Sequence, residues 1–210
     1  MNVLVVGATG GTGRKLVEQL KKRNHKPIAM VRDGADISGL SADVERRRGD
    51  VEALERSVLK DVDAIVFAAG SGSKTGPEKT IDVDQEGAKA LIDLARAEGI
   101  SHFVMLSAKG VDAPEAASEG MRHYMRAKRN ADDYLIASGL DYTIVRPVLL
   151  THNAGTGRVA LAETVDPHTE VSREDVAAIL AKSLDVQTAR NRVFELTSGE
   201  TPVEEALTVV

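Results

Sequence analysis

Short apolar runs alternate with stretches of helical spacing through the first two-thirds of the chain, the pattern of strand, crossover helix and parallel strand. The runs are Val3 to Val6, Ile28 to Val31, Asp63 to Ala69, His102 to Leu106 and Tyr142 to Val145. They are continuous rather than alternating, as strands covered on both faces should be. Between them the spacing predicts helices near Arg14 to Arg23, Glu52 to Lys60, Ile81 to Ala97 and Met121 to Ser138. In the third of these, Ile81, Ala88, Leu91, Ile92 and Ala95 share one face. Val44 to Arg48 carries Glu45, Arg46, Arg47 and Arg48, a charge run that suits an outer strand guarded against edge pairing. The expected class is α/β: a doubly wound parallel sheet with helices on both faces.

After Pro147 the texture becomes turn-rich, with Asn153, Gly155, Gly157 and Pro167. A helix then opens at Ser172-Arg173-Glu174-Asp175, followed by a strand at Val193 to Leu196 and a short final helix. Ser172 with Asp175 resembles a capping box in which Asp replaces the usual Glu or Gln. This tail is too short to stand as a domain of its own. The expectation is one domain over residues 1–210, with 148–210 as a C-terminal extension that closes over the carboxyl ends of the strands and shapes the substrate pocket.

Composition narrows the possibilities. With 42% hydrophobic residues in a chain of 210, a sizeable core is available. No cysteine is present, which excludes a disulfide framework and a cysteine-type zinc site. The balance of 27 Lys+Arg against 32 Asp+Glu, net charge −5, offers no footprint for nucleic acid or an anionic membrane. No apolar run reaches the roughly 18 residues of a bilayer span, and Val3 to Val6 leads into glycines rather than a cleavage site. A cytoplasmic protein acting on a small molecule is expected, its oligomeric state open. His102, His123, His152 and His168 lack metal-ligand spacing and are read as surface or packing residues, so no metal site is expected.

The segment Gly7-Ala8-Thr9-Gly10-Gly11-Thr12-Gly13 follows the first strand and opens the first helix. In that context glycines let the chain turn sharply, let a diphosphate approach backbone amides, and let the helix pack close to the strand. The helix start supplies free N–H groups and partial positive charge, to which Thr9 and Thr12 could add hydroxyl donors. Gly13 is followed by Arg14 and Lys15 rather than Lys and Ser/Thr, which disfavours a nucleoside triphosphate loop. At the end of the second strand, Arg32 stands where a 2′-phosphate needs a cation, so NADP is preferred, although Asp33 leaves NAD possible. Asp50 could meet the adenine amino group or cap the next helix, and Val51 could pack on the ring. Ala68-Ala69-Gly70 ends the fourth strand with the small side chains a strand end beneath a cofactor requires.

Tyr124 and Lys128 are four residues apart on one helix, and therefore on one face. A phenol titrates near 10 in water, and a neighbouring ammonium brings its proton into useful range for general acid catalysis. Ser107, at the end of the fifth strand, could hold a substrate oxygen beside Tyr124 or be a turn residue.

Together Gly7/Gly10/Gly13, Asp50-Val51, Ser107, Tyr124-x-x-x-Lys128 and Tyr142 to Pro147 resemble the short-chain dehydrogenase/reductase superfamily, in its atypical NAD(P)-binding, NmrA-like or sugar-epimerase-like branch. The likeness extends to Val171-Ser172-Arg173-Glu174-Asp175-Val176-Ala177. It implies a Rossmann fold, hydride transfer at a nicotinamide, tyrosine as acid/base, and a lysine that also holds the nicotinamide ribose. It further implies that Pro147 and Val148 lie by the nicotinamide. Ala68 and Asp84 stand where the family often has asparagine. The activity implied is NADP(H)-dependent oxidoreduction of a small carbonyl or alcohol. The alternatives are a sugar epimerase or dehydratase on the same residues, or a non-catalytic NADP-binding redox sensor.

Overall fold

The computed structural model describes residues 1–72, 75–166 and 169–208. Six strands, β1 (Asn2–Val6), β2 (Lys26–Val31), β3 (Glu45–Arg48), β4 (Ala64–Phe67), β5 (His102–Leu106) and β6 (Tyr142–Pro147), pair in parallel in the order β3-β2-β1-β4-β5-β6. The winding reverses direction between β1 and β4, and that reversal opens a crevice at the strands' carboxyl ends. Helix α1 (Gly11–Lys22) joins β1 to β2. Between β4 and β5 run α2 (Pro77–Thr80), a π-helical stretch over Ile81–Gly87, and α3 (Ala88–Ala97). Helix α4 (Glu119–Ala137) precedes β6.

The continuity of the apolar runs follows from the two cores. Val3 and Val5 of β1 face one, with Leu16, Val17 and Leu20 of α1. Leu4 and Val6 face the other, with Phe67, Leu91, Ile92, Phe103 and Leu135. Successive side chains thus need to be apolar on both sides of the sheet. Strand β3, whose four residues are all charged, forms an outer margin of the sheet as expected.

Much of the tail is built into the main sheet. It contributes β7 (Leu149–Thr151), β8 (Arg158–Ala162), β9 (Glu170–Ser172), α5 (Arg173–Ser183), β10 (Arg192–Ser198), β11 (Thr201–Pro202) and α6 (Val203–Ala206). β10 runs parallel to β6 and continues the main sheet, β8 lies antiparallel on β10, and β11 closes that side. Among the described residues, β7 and β9 form a separate ribbon. Because Val159, Phe194 and Leu196 must be buried, these segments extend the hydrophobic sheet.

Departures from the expected elements are local. The helix expected over Glu52 to Lys60 shrinks to one 3-10 turn at Arg56–Leu59, where only Val58 and Leu59 are buried. Asp50 accepts the Glu52 amide on its side chain at 3.1 Å and the Ala53 amide on its carbonyl at 3.1 Å, a capped turn that the following residues do not continue as a helix. At α5 the Ser172 hydroxyl accepts from Asp175 N at 2.9 Å and donates to the Asp175 carboxylate at 2.8 Å. That carboxylate also accepts the amides of Thr156 and Gly157, so the shorter Asp ties the cap to the preceding turn.

His102, buried on β5, has a definable tautomer. The Thr143 hydroxyl donates to Ala189 O at 2.8 Å, so it must accept from His102 Nε2 at 3.0 Å, while Nδ1 has no partner among the described residues. Burial, and after it the charge of Arg190, pushes the imidazole down to about 4. The folded value lies below the unfolded one near 6.5, so the contribution to stability is present above pH 6.5 and is lost as pH falls through about 4. It amounts to something on the order of 3 kcal/mol. Urea unfolding of wild type and His102→Gln at pH 7.5 and 4.5 should show a smaller pH effect in the variant; equal slopes would contradict the assignment.

Candidate functional site

The glycine loop is fixed by close backbone approach. Gly7 has φ +84°, and a Cβ there would lie 2.6 Å from Ala69 N. A Cβ on Gly13 would fall 2.0 Å from Gly7 O, so α1 presses directly on the loop. Gly10 and Gly11 are exposed, whereas Thr12 is buried in the first turn. Gly10 N donates to Gly7 O at 3.0 Å and Arg14 N to Gly10 O at 3.0 Å. Arg14 reaches back to Thr9 O and forward to Asp36.

A cavity of about 300 Å³ opens beside this loop, lined among others by Gly7, Thr9, Gly10, Met30, Arg32, Val51, Ala68, Ala69 and Gly70. It therefore gathers most of the expected cofactor residues at the ligand edge of the sheet. Asp50 lies instead in an adjoining hollow of about 670 Å³ with Arg32, Asp33 and Arg48. A larger hollow of about 970 Å³ sits at the opposite strand ends, around Asn2, Lys26 and Glu45; open αβ sheets do not bind their ligands there. At the tip of β2, Asp33 is ion-paired with Arg48, while Arg32 is exposed and pairs with no carboxylate among the described residues. The glycine loop, apolar Val51 wall and small Ala68-Ala69 floor fit a dinucleotide, because a Cβ at Gly7 or Gly13 would collide with backbone and side chains larger than Ala68 and Ala69 would fill the cavity.

Helix α4 carries Tyr124, Lys128 and Asp132 at four-residue steps along one face. Tyr124 is half-buried, and its hydroxyl makes no hydrogen bond among the described residues. Lys128 is buried; its Nζ donates to Leu106 O at 3.0 Å and lies 3.3 Å from Asp84 Oδ1. Burial opposes the ammonium charge, but Tyr124, Asp84 and Asp132 outweigh it and hold the Lys128 pKa above the ordinary lysine value. Asp84 is fully buried in the π-helical stretch and also accepts Ser71 N at 2.9 Å, so it links the exit of β4 to the lysine.

The Ser107 hydroxyl is committed inward. It donates to Asp132 Oδ2 at 2.8 Å, which also accepts Arg146 Nε at 2.9 Å. Arg146 in turn reaches Asp112 at 2.6 Å. Burial raises the Asp132 pKa, against the pull of Arg146, the Ser107 hydrogen bond and Lys128. The serine can therefore offer a ligand its oxygen lone pairs, not its proton. Pro147 and Val148 stand buried at the end of β6, where Pro147 O accepts Lys109 N at 2.9 Å and Val148 N donates to Leu196 O at 3.0 Å.

Sequence reasoning missed Asp132 and Arg146, and it took Asp84 only as a departure from a family pattern. The four-residue step from Tyr124 through Lys128 to Asp132 was the available signal for the first. His123 is half-buried and His152 exposed, and His168 lies outside the described residues. No group of three or more metal-ligating side chains occurs among the described residues, and no helix there is long and apolar enough to cross a membrane.

Comparison with known proteins agrees with this geometry. Residues 7–187 match the model of an NAD(P)H-binding family. The chain is 39% identical to YhfK of Bacillus subtilis (strain 168), named an uncharacterized sugar epimerase, with 99% of each covered. A Bacillus halodurans structure, provisionally described as an NAD-dependent epimerase/dehydratase, superposes with TM-score 0.95 at 38% identity over both full chains. The oxidoreductase ylbE from Lactococcus lactis gives TM-score 0.87 at 27% identity, covering 100% of this chain and 96% of that one. With its glycine loop, its mostly parallel sheet and these relatives, the chain belongs to the NAD(P)H-binding family of atypical short-chain dehydrogenase/reductase, NmrA-like proteins.

Proposed function

We propose that the chain is an NADP(H)-dependent oxidoreductase acting on a small carbonyl or alcohol. The observation that carries this reading is the unbonded Tyr124 hydroxyl one helical turn from the buried, doubly held Lys128. The nicotinamide supplies or accepts the hydride when bound. The amides of Gly10 to Thr12 hold the diphosphate at the start of α1, while Val51, Ala68 and Ala69 wall the cavity. An ammonium has three donors; on Lys128 one goes to Leu106 O, while Asp84 Oδ1 pairs with its charge at 3.3 Å without forming a hydrogen bond, so donors remain for the ribose. Tyr124 gives its proton to the carbonyl oxygen as reduction proceeds, and Lys128 steadies the resulting phenolate. Ser107, its own proton held by Asp132, accepts from the product hydroxyl and orients it.

Arg32 would pair with the 2′-phosphate, since Arg48 keeps the Asp33 carboxylate engaged. Arg32→Ala is expected to weaken NADPH binding by ~1.5–3 kcal/mol, the worth of a hydrogen bond to a charged group, with much less effect on NADH. Titration with both cofactors checks this; equal losses would reverse the NADP preference. A screen of carbonyl compounds for NADPH consumption tests the activity itself. The names of the B. subtilis and B. halodurans relatives favour a second reading, epimerisation or dehydration on the same residues. Sugar conversion without net NADPH consumption would establish it instead.

A further inference from the structure

The first turn of α1 is a positive pole with no negative neighbour in its own helix. Gly10 caps it without a side chain, and no acidic residue stands in the turn, so its amide hydrogens and dipole are uncompensated. The C-terminal extension nevertheless lays a cation across this pole. A Cβ built on Gly11 would sit 3.0 Å from Arg173 Cδ and 3.2 Å from Arg173 Nε, with His152 Cε1 at 3.5 Å. Arg173 is also the first residue of α5, so two helix starts surround it. Its Nη1 donates to Leu150 O at 3.0 Å, and among the described residues no carboxylate pairs with it. The other cations of the loop are engaged, Arg14 with Asp36 and Lys15 with Glu174. A guanidinium held against a helix's positive end is repelled unless an anion lies between them, and its remaining N–H donors match phosphate oxygens.

We propose that Arg173 is a ligand of the cofactor's diphosphate, reaching from the C-terminal extension onto the group bound by the first turn of α1. This rests on the nicotinamide cofactor reading above and adds a residue far outside the first strand-helix-strand unit. Gly11 then has a second role: its bare backbone leaves room for the arginine stem. Because the same guanidinium holds Leu150 O, the cofactor also anchors β7 at the border of the substrate side.

Calorimetric titration of wild type, Arg173→Gln and Arg173→Lys with NADPH, NADH and adenosine 2′-monophosphate tests the assignment. Arg173→Gln should weaken NADPH and NADH by the same factor, about tenfold or more, because both contain the diphosphate. Adenosine 2′-monophosphate, which lacks it, should bind unchanged. Arg173→Lys, still a cation, should fall between Arg173→Gln and wild type, and matched urea unfolding of the free proteins should show that the loss is not one of folding. Wild-type affinity for both cofactors in Arg173→Gln, or a loss confined to NADPH, would overturn the proposal while leaving the cofactor reading intact. Failure of wild type to bind either cofactor would overturn the underlying reading itself.

Discussion

Tyr124→Phe is expected to lower NADPH-driven carbonyl reduction by at least ~10²-fold, the usual scale for loss of a general acid, with little change in cofactor affinity or stability. The change removes one oxygen. That oxygen bonds to nothing else among the described residues, and the half-buried ring remains in place. Structure therefore gives the hydroxyl no packing task, and any large effect belongs to chemistry. Steady-state kinetics beside calorimetry and urea unfolding separate the three quantities. Full turnover by the variant would remove Tyr124 as the acid, and parallel losses of stability and activity would make it a structural residue.

Asp84→Ala should cost about 3–5 kcal/mol of folding stability, the range for removing one partner of a buried ion pair. Lys128 would keep Leu106 O but lose its nearest carboxylate, and Ser71 N would lose its acceptor. Asp84→Asn, which retains an oxygen for Ser71 N, should cost less. The pH dependence has a definite sign. The Lys128 pKa is raised on folding, so its contribution is complete below the unfolded value near 10.4 and disappears as pH rises through the folded value. The deficit of Asp84→Ala should hold across neutral pH and shrink in alkali. Urea unfolding between pH 7 and 11 measures it; a deficit that widened with alkali would exclude the lysine charge as its source.

Most of the strand framework could be read from the chain because burial on both faces of a parallel sheet leaves uninterrupted apolar runs, as Val3 to Val6 and His102 to Leu106 show. The glycine loop was legible because Gly7 and Gly13 answer to sterics that act within one turn of chain. Less legible were features set by distant partners. The π-helical stretch carries no local mark; Asp84 is buried because Lys128, 44 residues on, meets it. The Ser107 proton points to Asp132, a pairing that spans 25 residues and needed the packed helix to appear. In the tail, β8 is only partly buried and β10 pairs with it in reverse, so short segments with mixed burial gave little periodicity to detect.

Both margins of the large sheet are built to refuse a further strand. On one side stand Glu45, Arg46, Arg47 and Arg48; on the other lies a two-residue strand that contains Pro202 and turns at once into α6. Charge repels an incoming ribbon at the first, and a missing amide hydrogen with too short a ladder defeats it at the second. Lengthening of the large sheet by a strand added from a second chain is thereby disfavoured at both of its ends.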